Sequence, residues 1–384
     1  MADEGRRVTG KPARTRRRRR GDGQPTIADV AARAGVGAMT VSRALRNPGL
    51  VSESLRQHID AAVRELNYLP NLSARALAST RTTVIGVLIP SLSQAVFTDV
   101  LRGIYDGVDG SPLTVQIGNT RYDEAEEERL VRVFLREKPA AMIVSGVHQT
   151  PAARRLLEEA GCPIVQIMDL TDDPIDQIIG FSHYDGGRKV TEHLIEEGYR
   201  RIGLIAGWMS TRSLGRLHGY RDALAAAGLP QPSLERSFAP GYTPPLTDAV
   251  DTPTGRPVQE LATAQMGREL FRAAITADPG LDAVFCNNDI LALGVLFECM
   301  ARGIRVPEDM GIIGFNDHDY MASAYPSLSS GRTHRYRNGH DAVMAIRDRL
   351  AGKAVTERVI DMGVDVMKRR STDRLGRRRE EPGV

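Results

Sequence analysis

The sequence predicts an α/β protein that carries a short all-helical head near its N-terminal end. Two observations predict this. Three short amphipathic helical patterns crowd into residues 25–71, and from Val84 onward apolar runs of strand length alternate with helix-length segments. With 384 residues, 41% hydrophobic and 26% charged, the chain is long and apolar enough for two or three globular domains. No run of about 18 apolar residues occurs, and the N-terminal arginine tract has no apolar stretch behind it. Both features argue against a membrane span or secretory signal and point to the cytoplasm.

The net charge is only +3, but it is unevenly placed. Arg6, Arg7, Lys11, Arg14 and the run Arg16 to Arg20 form a tract that cannot fold alone. Next to the helical head it reads equally as a solvated arm or as a contact to phosphates. A second cluster, Lys368 to Arg370 and Arg374 to Arg379, reads as a solvated tail. Cys162, Cys286 and Cys299 show neither metal-ligand spacing nor a disulfide framework, so they read as reduced packing residues, and no metal or cofactor is expected.

Pro25 marks the entry to order. Thr26 and Asp29 have the spacing of a capping box and start a helix with Ile27, Val30, Ala31 and Ala34 on one face, ended by Gly35. Ala38 to Leu45 is a second helix with Val41 and Leu45 inward, stopped by Asn47-Pro48-Gly49. Ser52 is a good N-cap for a third, in which Leu55, Ile59, Ala62, Val63 and Leu66 recur at helical spacing. Strand candidates follow at 84–89, 113–117, 141–144, 164–168, 202–206, 283–286 and 311–314, with helices such as 124–137, 187–197 and 290–302 between them. Such alternation implies parallel sheets covered on both faces, and the number of units implies two subdomains with a cleft between them. Residues 239–258, rich in Pro, Thr and Asp, read as a long exposed loop.

The segment TIADVAARAGVGAMTVSRALRNPGLVS, followed by LNYLPNLSARALAS, resembles the DNA-binding head and hinge of the lactose-repressor (LacI/GalR) family. VIGVLIPSLSQAVFTDVLRGI, FSHYDGGRKVTEHL, FCNNDILALG, VPEDMGIIGF and VDVMKRR resemble that family's effector domain, so the likeness runs from about Thr26 to Arg370. PSLSQAVFTDVLRGI, FCNNDILALGVLFEC and GFNDHD are most similar to the gluconate-operon repressors. The resemblance implies a helix-turn-helix head, a hinge helix and a two-subdomain core like periplasmic sugar-binding proteins, in a homodimer or tetramer controlled by a small ligand. The domains then read as arm 1–24, head 25–71, hinge 72–82, core 83–370 with the chain crossing between subdomains near 184, 331 and 358, and disordered tail 371–384.

On this reading Ala38 to Leu45 enters the major groove, where each base pair shows a distinct pattern of donors, acceptors and methyls. Arg43 can hold guanine O6 and N7 or else contact a phosphate, while Ala38 and Met39, at the family's specificity positions, can meet thymine methyls. Thr26, Thr40, Ser42 and Tyr68 are candidate phosphate partners. Gly37 stands where the family usually has Ser or Thr, removing one cap and one possible phosphate bond. Ser73 to Ser79 is too short to be stable alone and should order on DNA. By resemblance, Asn71 and Ala74 join the DNA contacts and Leu77 is a wedge in the minor groove of a near-palindromic operator. No heptad extension follows Arg370, which favours a dimer over a tetramer.

Ligands of open α/β sheets bind beyond the carboxyl ends of the strands. Ser91 and Phe97 follow the first strand and suit a sugar. Arg212, Ser213 and Arg216 follow the strand at 202–206, and two arginines one turn apart can clamp a carboxylate, as gluconate or a related sugar acid would offer. Asn288, Asp289, Asn316 and His318 follow two later strands and can bond polyol hydroxyls. Many family members carry Asp where this chain has Asn316, a change compatible with an anionic ligand. A neutral sugar or other metabolite is the alternative effector. A secreted binding protein has no use for the head, and an α/β enzyme lacks phosphate-loop, dinucleotide, nucleophile-elbow and metal-ligand motifs here, so neither catalysis nor secretion is expected.

Overall fold

The computed structural model describes residues 25–46, 48–68, 82–207, 209–230, 235–237 and 262–376. The chain divides into two compact units, residues 1–80 and 81–384. In the first, α1 (Ile27–Ala34), α2 (Ala38–Arg46) and α3 (Glu53–Glu65) are the three expected helices. The capping box at Thr26 forms: its hydroxyl oxygen accepts from Asp29 N–H at 3.4 Å, and the Asp29 carboxylate accepts the Thr26 N–H at 2.8 Å. Gly35 closes α1 at φ 66°, a left-handed cap that a side chain would strain. Ser52 holds the N-cap position of α3, but its side chain makes no cap bond. Val30, Val41 and Ile59, fully buried, pack with Ala31, Ala44, Ala62 and Tyr68 into a small core.

The second unit contains two six-stranded sheets. The first runs β11-β5-β4-β3-β1-β2, built from β1 (Val84–Ile89), β2 (Thr114–Asn119), β3 (Ala141–Ser145), β4 (Ile164–Ile167), β5 (Gln177–Gly180) and β11 (Val359–Asp361), all parallel. The other runs β12-β10-β9-β8-β6-β7, with β6 (Ile202–Ala206), β7 (Glu235–Ser237), β8 (Ala283–Cys286), β9 (Gly311–Asn316), β10 (Ser329–Arg332) and β12 (Asp365–Met367). Only the β10–β12 pair is antiparallel among these described ladders. The helices are α4 (Ala95–Val108), α5 (Glu124–Arg136), α6 (Pro151–Glu158), α7 (His183–Glu196), α8 (Thr211–Ala226), α9 (Ala264–Ala277), α10 (Asp289–Arg302), α11 (Asp319–Ser323) and α12 (Arg335–Leu350).

The chain passes between the two sheets three times: from β5 into α7, from β10 into α12, which packs on α4, and from β11 into β12. The first two passes follow Gly180 and Arg332. The third lies after Asp361 rather than near 358, because residues 359–361 still pair with β5. Strands β5, β7, β10, β11 and β12, three or four residues long, are absent from the sequence expectation. The helix expected from 187 begins at His183, because Ser182 accepts from Asp185 N–H at 3.1 Å and caps it.

The tail expected to be disordered from 371 is, through residue 376, a strap on the second sheet. Ser371 and Thr372 are buried in a 3₁₀ turn, Ser371 Oγ donates to the Ile312 carbonyl at 2.6 Å, and Thr372 Oγ1 lies 2.8 Å from His193 Nε2 and 2.7 Å from Ser329 Oγ. Arg374 covers the Tyr199 ring at 5.0 Å and pairs with Asp282 at 3.0 Å. Charge and polarity hid this strap because its bonds satisfy β10, whose own Ser-Ser-Gly-Arg sequence is polar yet buried. Residues 377–384, 1–24 and the 239–258 loop lie outside the described residues. Replacing Thr372 by Val should cost about 1–3 kcal/mol, since it strips a buried imidazole of its hydroxyl partner; urea unfolding of the variant against wild type measures it.

Candidate DNA-reading face and ligand cleft

The head buries one stripe of α2 and leaves the other free. Val41 and Ala44 are buried, Leu45 is half-buried against the core, and Ala38, Met39 and Arg43 are exposed, Met39 at 73%. Thr40 and Ser42 are half-buried at the flanks. Among the described residues no carboxylate pairs with Arg43, so its guanidinium is a free cation on the outward face. Two expected phosphate partners have other work. The Thr26 hydroxyl donates to Asp29 at 2.7 Å within the capping box, and Tyr68, 8% exposed, packs into the head core. Asn71, Ala74, Leu77 and the hinge segment lie outside the described residues.

In the second unit the carboxyl ends of β3, β4, β6, β8 and β9 converge on a cleft between the sheets. One lobe, about 560 Å³ and open to solvent, is lined by Glu127, Ser145, Gln149 and Asp169 from the first subdomain and by Ser210, Thr211 and Arg212 from the second. Arg212 spans it, donating to Ser145 Oγ at 3.0 Å and lying 3.6 Å from the Asp169 carboxylate. One turn on, Arg216 turns inward. Only 8% exposed, it lies over the Phe315 ring at 4.3 Å, donates to the Asn287 carbonyl and, at 2.9 Å, to the Asn287 side-chain oxygen, and reaches His183 Nδ1 at 3.3 Å. Among the described residues no carboxylate lies within ion-pair distance of it. Burial, and then the neighbouring charge of Arg212, pushes its pKa down to about 9.

His183 is held neutral by the same surroundings. Burial and the two arginines drive its pKa well below the usual histidine value. With Nδ1 accepting from Arg216, its Nε2–H donates to the Met168 carbonyl at 3.2 Å. Close helix packing holds this geometry: a Cβ at Gly187 of α7 would overlap the Arg216 carbonyl, and one at Gly219 of α8 would overlap that of Tyr184. Ser213 Oγ accepts from Asn287 Nδ2 at 2.8 Å and completes the link from α8 to the end of β8.

The remaining expected contacts divide. His318 Nδ1 lies 2.9 Å from Asp289 Oδ2, its ring stacks on Tyr320 at 5.4 Å, and its Nε2 is buried with no partner among the described residues. Asn316 is 8% exposed at the end of β9. Four residues are corrected. Phe97 is 1% exposed inside the core, and Ser91 spends its oxygen on the N–H groups of Ser93 and Gln94, both at 3.2 Å. Asn288 caps α10 by accepting from Leu291 N–H at 3.1 Å. Asp289, fully buried, accepts from Ser330 at 2.6 Å and from the His318 N–H at 2.8 Å, and so orients the histidine. Glu127, Ser145, Asp169, His183 and Asn287 escaped the sequence reading. Asp169 and Asn287 follow strands and so carried the signal already used for Arg212, whereas Glu127 is one of four glutamates between 124 and 128 that the sequence does not rank.

A helical head with an outward cationic face, joined in one chain to a two-sheet core around a polar cleft, defines a ligand-responsive DNA-binding protein. The family model for bacterial regulatory proteins of the lacI family matches residues 26–71, and two periplasmic-binding-protein-like models match residues 82–238 and 191–372, the first described as the periplasmic binding proteins and sugar binding domain of that family. The HTH-type transcriptional regulator GntR of Pseudomonas aeruginosa is 39% identical over 91% of this chain and 96% of its own. The regulator of the same name from Escherichia coli K12 is 35% identical over 88% and 96%. Among solved structures, a LacI family regulator from Silicibacter pomeroyi superposes with TM-score 0.81 at 32% identity, over 91% of this chain and 100% of its own. The lac repressor dimer bound to operator and an anti-inducer gives 0.76 at 26%, over 91% and 99%, and a regulator CelR in complex with cellobiose gives 0.61 at 26%, over 91% and 100%. The chain belongs to the LacI family: it is a DNA-binding transcriptional regulator with a ligand-binding core, in a family of regulators and not of enzymes.

Replacing Arg43 by Ala should lower discrimination between the operator and single-base variants by about 1–3 kcal/mol at one guanine position. Competition binding with a panel of operator variants at fixed salt checks this; discrimination equal to wild type at every position would remove Arg43 from base reading.

Proposed function

We propose that this protein is a repressor whose grip on a near-palindromic operator is set by a sugar acid of the gluconate type. The observation that carries the ligand class is Arg216, a buried guanidinium that meets only neutral groups and shares its helix with Arg212. A buried charge without a counter-ion is costly, and a ligand carboxylate reaching the pair would supply one. His318 Nε2, left as an acceptor when Nδ1–H donates to Asp289, suits a ligand hydroxyl, as does Asn316. The likeness to two regulators named GntR agrees with this class.

The protein acts in the cytoplasm as a homodimer, in which α2 of each head reads one half-site through Arg43, Ala38 and Met39, with Thr40 and Ser42 on phosphates. The exposed Phe297 and Met300 of α10 give a copy of the chain an apolar face to meet. Linker residues Asn71, Ala74 and Leu77 contact the operator centre, with Leu77 as the minor-groove wedge. A neutral sugar is the second reading, favoured by the carboxylates of Glu127 and Asp169 on the cleft wall, which suit polyol hydroxyls, and by the cellobiose bound to a similar structure.

Titrating the full chain on its own upstream DNA at fixed salt, with gluconate, 2-ketogluconate and neutral sugars, tests both. A shift in operator affinity by acids alone supports the first reading, and a shift by neutral sugars alone supports the second. Replacing Arg212 by Ala should leave operator binding within about twofold and abolish the ligand effect, measured in the same titration. Removing residues 1–24 should weaken binding to all DNA and flatten its salt dependence, since each lost phosphate contact lowers the log–log slope by about 0.9.

A further inference from the structure

Opposite Arg212, the first-subdomain wall of the cleft carries an acid that the preceding reading leaves without a role. Glu127, in the first turn of α5, is 9% exposed and faces the lobe lined by Arg212 and Asp169. Its Oε1 accepts from Gln149 Nε2 at 3.1 Å. Gln149 accepts in turn from Gln166 Nε2 at 3.2 Å, and both amides donate to the Gly146 carbonyl. The carboxyl is thus held by one neutral amide N–H at the end of a chain of amides, with no ionic partner in that chain.

Other groups face the same space. Asp123 caps α5 by accepting from the Ala125 and Glu126 N–H groups at 2.9 and 3.0 Å. Asp169 lies 3.6 Å from Arg212 and accepts from Leu170 N–H at 3.0 Å. Glu124 and His148 are exposed, and Tyr122 is half-buried. Glu127 is the carboxyl here that is buried without a cation or a backbone N–H in hydrogen-bond contact among the described residues. Burial pushes its pKa up to about 7, the Gln149 bond and the Arg212 charge pull against that, and Glu124 adds to it. An acid anion docking on the arginines brings a second negative charge beside this carboxyl, and two like charges in a desolvated pocket do not both persist.

We propose that Glu127 takes up one proton from solvent as an acidic effector enters the cleft, so that the protein reads its ligand's charge through a proton-coupled step. This rests on the acidic-effector reading above. The proton passes from hydronium or a buffer acid to a Glu127 carboxylate oxygen, and no covalent bond of the ligand changes. A neutral polyol calls for no such transfer and leaves the ionised carboxylate free to accept a hydroxyl.

Titration calorimetry of the full chain with gluconate, in two buffers of different ionisation enthalpy, tests it. Uptake should approach about one proton per site near pH 8 and fall towards zero near pH 6, with affinity dropping up to about tenfold per pH unit above 7. In Glu127→Gln the uptake should vanish and the affinity become flat with pH, circular dichroism showing that the variant is folded; should it not fold, the wild-type buffer comparison still decides. Gluconate binding near pH 8 without proton exchange in wild type overturns the proposal and leaves the acidic effector standing. Uptake that persists in folded Glu127→Gln also overturns it, assigning the proton to another group such as His148. Failure of gluconate and 2-ketogluconate to bind at any pH, while a neutral sugar binds, overturns the acidic effector and this step together.

Discussion

One guanidinium sits where the ligand-binding unit is most constrained. Arg216 carries its charge into the interior with a carbonyl, an amide oxygen, an imidazole and the face of Phe315 as company. Cation–π contact and hydrogen bonds offset part of the desolvation cost, which for a buried ion amounts to several kcal/mol. Everything near it follows from that compromise. His183 is kept neutral so that it can accept, Asn287 turns its oxygen inward and its amide to Ser213, and Gly187 lets α7 approach the Arg216 backbone closely enough to complete the arrangement.

The three passes of the chain set what such a centre can control. Near the second pass, Arg335 donates to Asp99 of α4 at 2.7 and 3.0 Å and to the carbonyl of Asp317 after β9 at 3.3 Å, and so ties the two subdomains together. The Asp317 side chain is itself held by Arg332 and Arg369 at 2.7 and 2.6 Å. Arg212 makes a second tie through Ser145 and Asp169. A ligand that binds one arrangement of these ties better than another shifts the population by its differential affinity and by no more than that.

The head solves a separate problem with few residues. Its small core leaves little stability in reserve, which makes the Thr26–Asp29 capping box and the Arg33–Glu65 contact at 2.9 Å proportionately important. Because α2 rests on the core through Val41, Ala44 and Leu45, its opposite side keeps Ala38, Met39 and Arg43 exposed.

Much of this was legible in the chain. Local chemistry set α1 through Thr26 and Gly35, α2 through its periodicity and stop, and the alternation of apolar runs with amphipathic helices determined the two parallel-sheet subdomains. Motifs and strand ends singled out Arg43, Arg212, Arg216 and His318 as candidates. The tertiary structure alone decided which residues beyond a strand face the cleft: Ser91 and Asn288 turned to capping work, Phe97 went into the core and Asp289 to orienting His318, though each follows a strand as Arg212 does. It also made a strap of 371–376 and singled out Glu127 among its acidic neighbours. The reason is that burial and charge state depend on groups remote in sequence. Arg216 meets His183 across 33 residues and Asn287 across 71, and no local pattern encodes such encounters.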